Sequence, residues 1–456
     1  MAGTNTGIGF DKRISRRSFL TGAAKSGLVL GAVGPLLSCG TTPSSSGPTT
    51  LVVQNGDASD VGRIPTFKRI NKAFEKAHPN VTVKMITEGF TQLTTTLNLQ
   101  LSGSNVPDVT QVNQGYESMG ILVKGGLLRP LDEYASKFGW LKRQPQTLLA
   151  DGMFTPDGKN FGSGNLYGIS ATGDVVGVYY NKSKLVQLGL SVPTSFSEFE
   201  NALAIAKSAG EIPIAFGDLD KSPGIHDFQA VQNVLASKTY QNDFVFNIGN
   251  LSFATAPNEA AAATVQDWSR KGYFSPGFLD LGYNTWVSGG FGHGQGVFCI
   301  TGNWFNSTLA PIMGSNLGFF LMPEPGAGEP SVATGSGGLP WSIPSKAAHP
   351  DLAAEYIDFM TGPEAALMLL ENGDLPSYAL SSAVAPSGTA AADVIAAWKQ
   401  LIDNDNFVPF LDWSTTTLYN TLAADVQVLL ANRMTPRAFV NDIEANVRTF
   451  RASSSG

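Results

Sequence analysis

Cysteine is nearly absent from this chain. There are two in 456 residues, Cys39 and Cys299. With Cys39 assigned to the leader region below, only Cys299 remains, and no internal disulfide can form. Cys299 lies in the apolar run Gly296-Val297-Phe298-Cys299-Ile300 and reads as a buried small hydrophobe rather than a nucleophile. The four histidines, His78, His226, His293 and His349, are scattered without paired metal-ligand spacing, so neither a metal nor a cofactor is expected. Charge is thin as well: 15% of residues are charged, against a usual value of about 25%. The net charge of −7 leaves no basic footprint and excludes a nucleic-acid partner. There is no Gly-x-Ser-x-Gly elbow, no His-Glu-x-x-His helix and no Gly-x-x-x-x-Gly-Lys phosphate loop; Gly292-His293-Gly294-Gln295-Gly296 lacks the lysine. A glycosidase carries its acid and base at any sequence position, so a secreted carbohydrate-active hydrolase stays open as an alternative. Long hydrophobic runs are missing too. The stretch from Leu28 to Leu37 is interrupted by Gly31, Gly34 and Pro35 and falls short of the roughly 20 residues of a spanning helix.

What is present begins at the N-terminus. Ser15-Arg16-Arg17-Ser18-Phe19-Leu20 puts a twin-arginine pair before that weakly apolar run, the pattern of a Tat-type export address. The run closes on Leu36-Leu37-Ser38-Cys39-Gly40, which resembles the lipobox of bacterial lipoproteins. That resemblance implies a signal peptide over residues 1–39, acylation of Cys39, and attachment to the outer face of the cell membrane. The bland alternative is a fortuitous cysteine. Residues 40–50, rich in Thr, Pro, Ser and Gly, suit a flexible tether.

The remainder is long enough for two domains or lobes, and 43% hydrophobic residues supply a sizeable core. Leu51-Val52-Val53 is a buried-strand run, and Ile64, Phe67, Ile70, Phe74 and Ala77 recur at helical spacing until His78-Pro79. Val81, Val83 and Met85 alternate, Leu93, Leu97 and Leu101 resume the helical period, and Pro107 to Val112 reads as another strand. Strands separated by helices imply an α/β fold with a parallel sheet, whose ligands sit beyond the carboxyl ends of the strands. Those ends are Gln54-Asn55-Gly56-Asp57 and Asn113-Gln114-Gly115-Tyr116.

Near Ile169 the character changes. Val175 to Asn181 closes on Tyr180-Asn181-Lys182, followed by Leu-Gly-Leu, Pro193-Thr194 and Phe196-Ser197-Glu198-Phe199. Together with Pro79-Asn80-Val81, Pro107-Asp108-Val109, Gly126-Leu127-Leu128, Gly302-Asn303-Trp304, Gly337-Gly338 before Trp341, and Asn372-Gly373 with Leu375-Pro376, this order of motifs resembles the family-1 extracellular solute-binding proteins, the maltose-binding-protein class. The likeness covers nearly all of residues 50 to 450. It implies a two-lobed periplasmic-binding-protein-like clamshell of type II, each lobe a mainly parallel sheet flanked by helices. Lobe one would be 49–172 with 339–385 and lobe two 173–338 with 386–456, with crossings near Thr172 to Val175, Thr334 to Leu339 and Ser381 to Ala391. It also implies a monomer that captures a mono- or oligosaccharide and passes it to the membrane permease of an ABC importer. A non-sugar small solute is the other alternative.

Sugar capture needs aromatic faces for pyranose C–H surfaces and planar polar side chains for vicinal hydroxyls. The candidates are Gln54, Asn55 and Asp57 after the first strand, Asn113, Gln114 and Tyr116 after the third, Asp174, Gly338 and Trp341 at the crossings, and Asn303, Trp304, Asp412 and Trp413 in the second lobe. Asn-Gly-Asp also satisfies plain turn chemistry, Gln114 to Glu117 also suits a helix cap, and each tryptophan also suits a core. His226 and Asp227 fall in a Gly/Asp-rich stretch that reads as a solvated loop.

Overall fold

The computed structural model describes residues 47–58, 62–378 and 385–454. The export signal, Cys39 and most of the tether lie outside the described residues. No helix among the described residues is long and apolar enough to cross a membrane.

Eleven strands are described: β1 (Thr49–Asn55), β2 (Val81–Thr87), β3 (Val109–Gln111), β4 (Met153–Phe154), β5 (Asn165–Leu166), β6 (Gly173–Asn181), β7 (Phe298–Gly302), β8 (Leu317–Phe320), β9 (Ala333–Gly337), β10 (Trp341–Ser342) and β11 (Phe407–Val408). The first sheet has the order β10-β3-β1-β2. β1 runs parallel to both β2 and β3, and only β10 is antiparallel, with Trp341 opposite Gln111. The helix Ile64–Ala77 covers this sheet because Phe67, Ile70 and Phe74 share one face and are fully buried with Leu51 and Val53. Burial of each such side chain contributes about 1.5–3 kcal/mol. His78 ends the helix ahead of Pro79, and β2 follows.

The second sheet has the order β11-β9-β6-β7, with β8 also paired to β6. Here the expectation of a mainly parallel sheet is corrected: β6 is antiparallel to β7, β8 and β9, and only β11 runs parallel, to β9. The cause is connectivity. β6 leaves the first sheet and β9 returns toward it, so two strands joining the same two bodies run in opposite senses. The apolar run of β6 is continuous because both faces are covered. Val176, Val178 and Tyr180 face a core with Phe199, Phe228, Trp268 and Phe298. Val175 and Tyr179 face another with Cys299, Phe319 and Trp398.

Two chain segments pass between the sheets side by side. Ile169 bridges Trp341 at the first sheet, Gly173 pairs with Gly337 at the second, and between them Gly338 N donates to Thr172 O at 2.8 Å. After Pro376, which bridges Thr172, the chain reaches the second sheet by the helix Ala390–Asn404, whose Val394 and Trp398 join its core. Residues 379–384 of that passage lie outside the described residues. A further apolar cluster spans the two bodies, packing Tyr116, Phe154 and Phe161 against Val245, Trp413 and the partly buried Phe246.

Candidate functional site

A cavity of about 340 Å³ opens where the carboxyl end of β3 faces the second body. On one side it is lined by Asn113, Gln114 and Glu117, and by Phe90 and Thr94 of the helix Phe90–Ser102; on the other by Asp412, Trp413, Tyr419 and Asn420. Gly115 sets this arrangement. Its φ of +77° turns the chain out of β3 into the single wide turn Tyr116–Gly120, and a β-carbon there would lie 2.6 Å from Trp413 Cα. Only glycine fits that conformation against that neighbour.

The electrostatics of the cavity are one-sided. Glu117 Oε1 accepts from Asn420 Nδ2 at 2.7 Å across the two bodies, and the Tyr419 backbone is the other donor to this carboxylate. Burial, and then the carboxylate of Asp412, raise Glu117 to about 7, with the Tyr419 backbone drawing it partly back. Asp412 is 9% exposed and receives no hydrogen bond from any other described residue, and burial pushes it up to about 7. Burial, followed by Asp412, raises the Tyr419 phenol to about 12. Among the described residues, no Lys, Arg or His lines the cavity.

An aromatic row runs along the second body beside it. Trp413 lies 5.0 Å from Phe410 between ring centroids, Phe410 lies 6.5 Å from Trp304, and Trp304 lies 5.4 Å from His226. Trp304 is half-buried and Trp413 is 4% exposed. At the crossings, Gln114 Nε2 donates to Gly337 O at 2.7 Å and to Gly338 O at 3.3 Å. Gly338 leaves no room for a β-carbon against the Thr172 hydroxyl, with Asp174 Oδ2 3.1 Å from the same point. Asp174 is half-buried there.

The structure thus brings Asn113, Gln114, Asp412 and Trp413 to one cavity, sets Gly338 against Gln114 and Asp174, and leaves Trp304 outside the lining, joined to Trp413 through Phe410. It takes other candidates away. Trp341 is 1% exposed and packs edge-on against Phe67 and Tyr356, because its pairing with β3 turns it toward the helices of the first core. Tyr116 is buried against Phe154 and Phe161, rotated inward by the turn at Gly115. Gln54 donates to Glu88 and Gln100 within the fold. Asn55 donates to Thr87 and accepts from Asp57 N at 3.1 Å, which is turn chemistry. Asp57 is held at 3.2 Å by Arg63, which also reaches Asp374 at 3.1 Å. Asn303 is spent on the crossing strand, accepting from Val175 N and donating to Gly173 O.

Several residues escaped sequence reasoning. Glu117, Tyr419 and Asn420 carried no motif. Arg63 directly precedes the Pro-containing first turn of its helix. His226 and Asp227 are not in a solvated loop: both belong to the helix Pro223–Leu235, with Asp227 fully buried, and burial lowers the His226 imidazole to about 4. The signal was Pro223, a helix-opening residue at the first position.

A family profile described as bacterial extracellular solute-binding protein matches residues 57–367. An uncharacterised ABC transporter extracellular-binding protein of Pyrococcus horikoshii is 25% identical over 71% of this chain and 71% of its own length. A multiple sugar-binding protein of Streptococcus mutans is 22% identical over 65% of this chain and 68% of its own. Among solved structures, a chitin oligosaccharide binding protein superposes with a TM-score of 0.75 at 21% identity, over 89% of this chain and 99% of its own. The solute-binding protein RafE in complex with raffinose superposes at 0.70 and 22% identity, over 88% and 100%. The fold is accordingly the two-lobed periplasmic-binding-protein-like one.

Proposed function

The chain belongs to the bacterial extracellular solute-binding proteins, and from that premise we propose that it captures a carbohydrate outside the cell and delivers it to the membrane permease of an ABC importer. This is a family of binding proteins rather than enzymes, which sets the hydrolase alternative aside. The observation that carries the carbohydrate reading is a cavity lined by Trp413 and Tyr419 together with planar amides and carboxyls, with Phe410 and Trp304 continuing the aromatic row from Trp413. Aromatic faces take the C–H surface of a pyranose, and Asn113, Glu117 and Asp412 take its hydroxyls. The names of the multiple sugar-binding relative and of the chitin oligosaccharide and raffinose neighbours point the same way.

In this reading lobe one is 49–172 with 339–385 and lobe two is 173–338 with 386–456. The paired segments at Thr172 and Gly338 are the hinge. Sugar bridges Asn113 and Glu117 on one lobe to Asp412 and Trp413 on the other, and its contacts with the second lobe raise the closed population that the permease recognises. The protein acts as a monomer tethered through an acylated Cys39 at the outer face of the membrane. The test is a thermal-shift screen of the chain from Gly47 onward against mono-, di- and oligosaccharides, with products checked chromatographically and small-angle scattering on any hit. A ligand at 100 times its Kd adds about 2.7 kcal/mol to the folded state. A rise in Tm with a compacted, intact complex supports capture. No shift with any carbohydrate, against a shift with another small solute, overturns the sugar assignment.

A further inference from the structure

Two carboxyl groups from opposite bodies, Glu117 after β3 and Asp412 after Phe410, face one cavity whose described lining holds no cation. Buried carboxyl groups elsewhere are treated in two ways: Asp218 and Asp227, both 0% exposed and outside this cavity's lining, form no ion pair among the described residues, whereas one pair is bridged. Asp57 and Asp374 are also buried and also come from distant parts of the chain, and Arg63 sits between them at 3.2 and 3.1 Å. At Glu117 and Asp412 no such group is supplied. Among the described residues, half-buried Glu117 has only neutral donors, Asn420 Nδ2 and the Tyr419 backbone, and Asp412, 9% exposed, receives no hydrogen bond from another residue. Burying one unpaired carboxylate is costly, and burying two within mutual repulsion is more so.

We propose that this end of the cavity receives a protonated amine, and that the solute is an amino sugar carrying a free, unacetylated nitrogen. The inference rests on the carbohydrate reading above and names the substrate class of that same site. A neutral sugar hydroxyl donates one hydrogen bond and leaves the negative charge in place. An ammonium donates three and cancels charge on both carboxylates, which makes the bonds charge-assisted. Trp413 and Tyr419 line the same cavity and offer ring faces of the kind that attract a cation. The shift of both carboxyls toward neutrality in the empty cavity agrees with an arrangement that lacks its counter-charge.

The test is calorimetry on the chain from Gly47 onward with matched sets: glucosamine, galactosamine and a β-1,4 glucosamine tetramer, each beside its neutral parent and its N-acetylated form. At a pH where the amine is charged, at least one amino sugar binds roughly tenfold or more tighter than both counterparts. That preference collapses toward unity in Glu117→Gln and in Asp412→Asn, each shown by thermal melting to be folded. If neutral or acetylated sugars bind and the amines bind no tighter, or if the preference survives both substitutions, the amine assignment is overturned while carbohydrate capture stands. If no sugar of any set binds, carbohydrate capture fails and this inference falls with it.

Discussion

The Asp57–Arg63–Asp374 cluster and the Glu117–Asp412 pair are two answers to one electrostatic problem. In the first, a guanidinium 5% exposed ties the turn after β1 to the loop after the helix Pro363–Glu371, so the two carboxyl groups share one cation inside the protein. In the second, two carboxyls from different bodies border an open cavity with no cation of their own. The first pair is bridged within the fold by a shared cation; the second, on the proposal above, takes its cation from the solute. The contrast separates two loops that look alike in sequence, since both follow strands of the first sheet and both carry Asn, Gln and an acid.

The largest effect comes from making the matched cluster resemble the unmatched one. Arg63→Met leaves Asp57 and Asp374 facing each other in the interior. Breaking a buried ion pair from one side costs about 3–5 kcal/mol, so the variant should lose that much in denaturant unfolding followed by circular dichroism. A loss below about 1 kcal/mol would mean the cluster is not a structural one. Next is the aromatic row. Trp304 is half-buried and joined to the cavity-lining Trp413 through Phe410, so Trp304→Ala should cost about 2 kcal/mol of sugar binding, close to thirtyfold in Kd, with a smaller change in Tm. If Tm collapses and affinity per folded molecule does not change, Trp304 is packing.

The unmatched pair predicts a pH dependence of the empty protein. Glu117 and Asp412 are both raised to about 7 by burial, Glu117 additionally by Asp412. A carboxyl with a raised folded pKa binds more protons folded than unfolded between roughly pH 4 and 7, so its contribution to stability falls across that window as pH rises and is fully lost above it. Tyr419, at about 12, stays neutral throughout and supplies no compensating charge. Asp218 and Asp425, at about 7 and about 6, act with the same sign elsewhere. The diagnostic is therefore the difference between the native chain and Glu117→Gln/Asp412→Asn: the native Tm should fall more steeply from pH 5 to pH 8, by roughly a few degrees. Identical slopes would remove the pair from the account.

How much of this was legible depends on whether the signal was local. The β1–helix–β2 unit and β3 follow from apolar spacing, and the crossings at Thr172 and Gly338 from the change of character and the glycines there. Strand direction in the second sheet was not, because a period of two reports burial and not polarity; only the path of β6 out of the first sheet and β9 back into it fixes the sense. At the site, the strand ends were found but their facing was not. The single turn at Gly115 exchanges two neighbours, sending Tyr116 into the core beside Phe161 and Glu117 to the cavity. Asn420, which meets Glu117 at 2.7 Å, is far away in the chain and its role exists only in three dimensions.

The smallest expected effect bears on the side chain where the cavity meets the hinge. Gln114 lines the cavity, yet its Nε2 is committed to the carbonyls of Gly337 and Gly338, so it couples the end of β3 to the segment that crosses between the bodies. Gln114→Ala removes a neutral donor from buried carbonyls, about 1 kcal/mol. If the bond is equally made in open and closed arrangements, that loss appears in Tm and leaves Kd alone. If it forms only on closure, Tm of the empty protein is unchanged and Kd rises about fivefold. Because the end of β3 is already tied to the crossing segment by Val112 N donating to Pro340 O at 2.9 Å, the first outcome is expected, and calorimetry beside a melt of the ligand-free variant distinguishes the two.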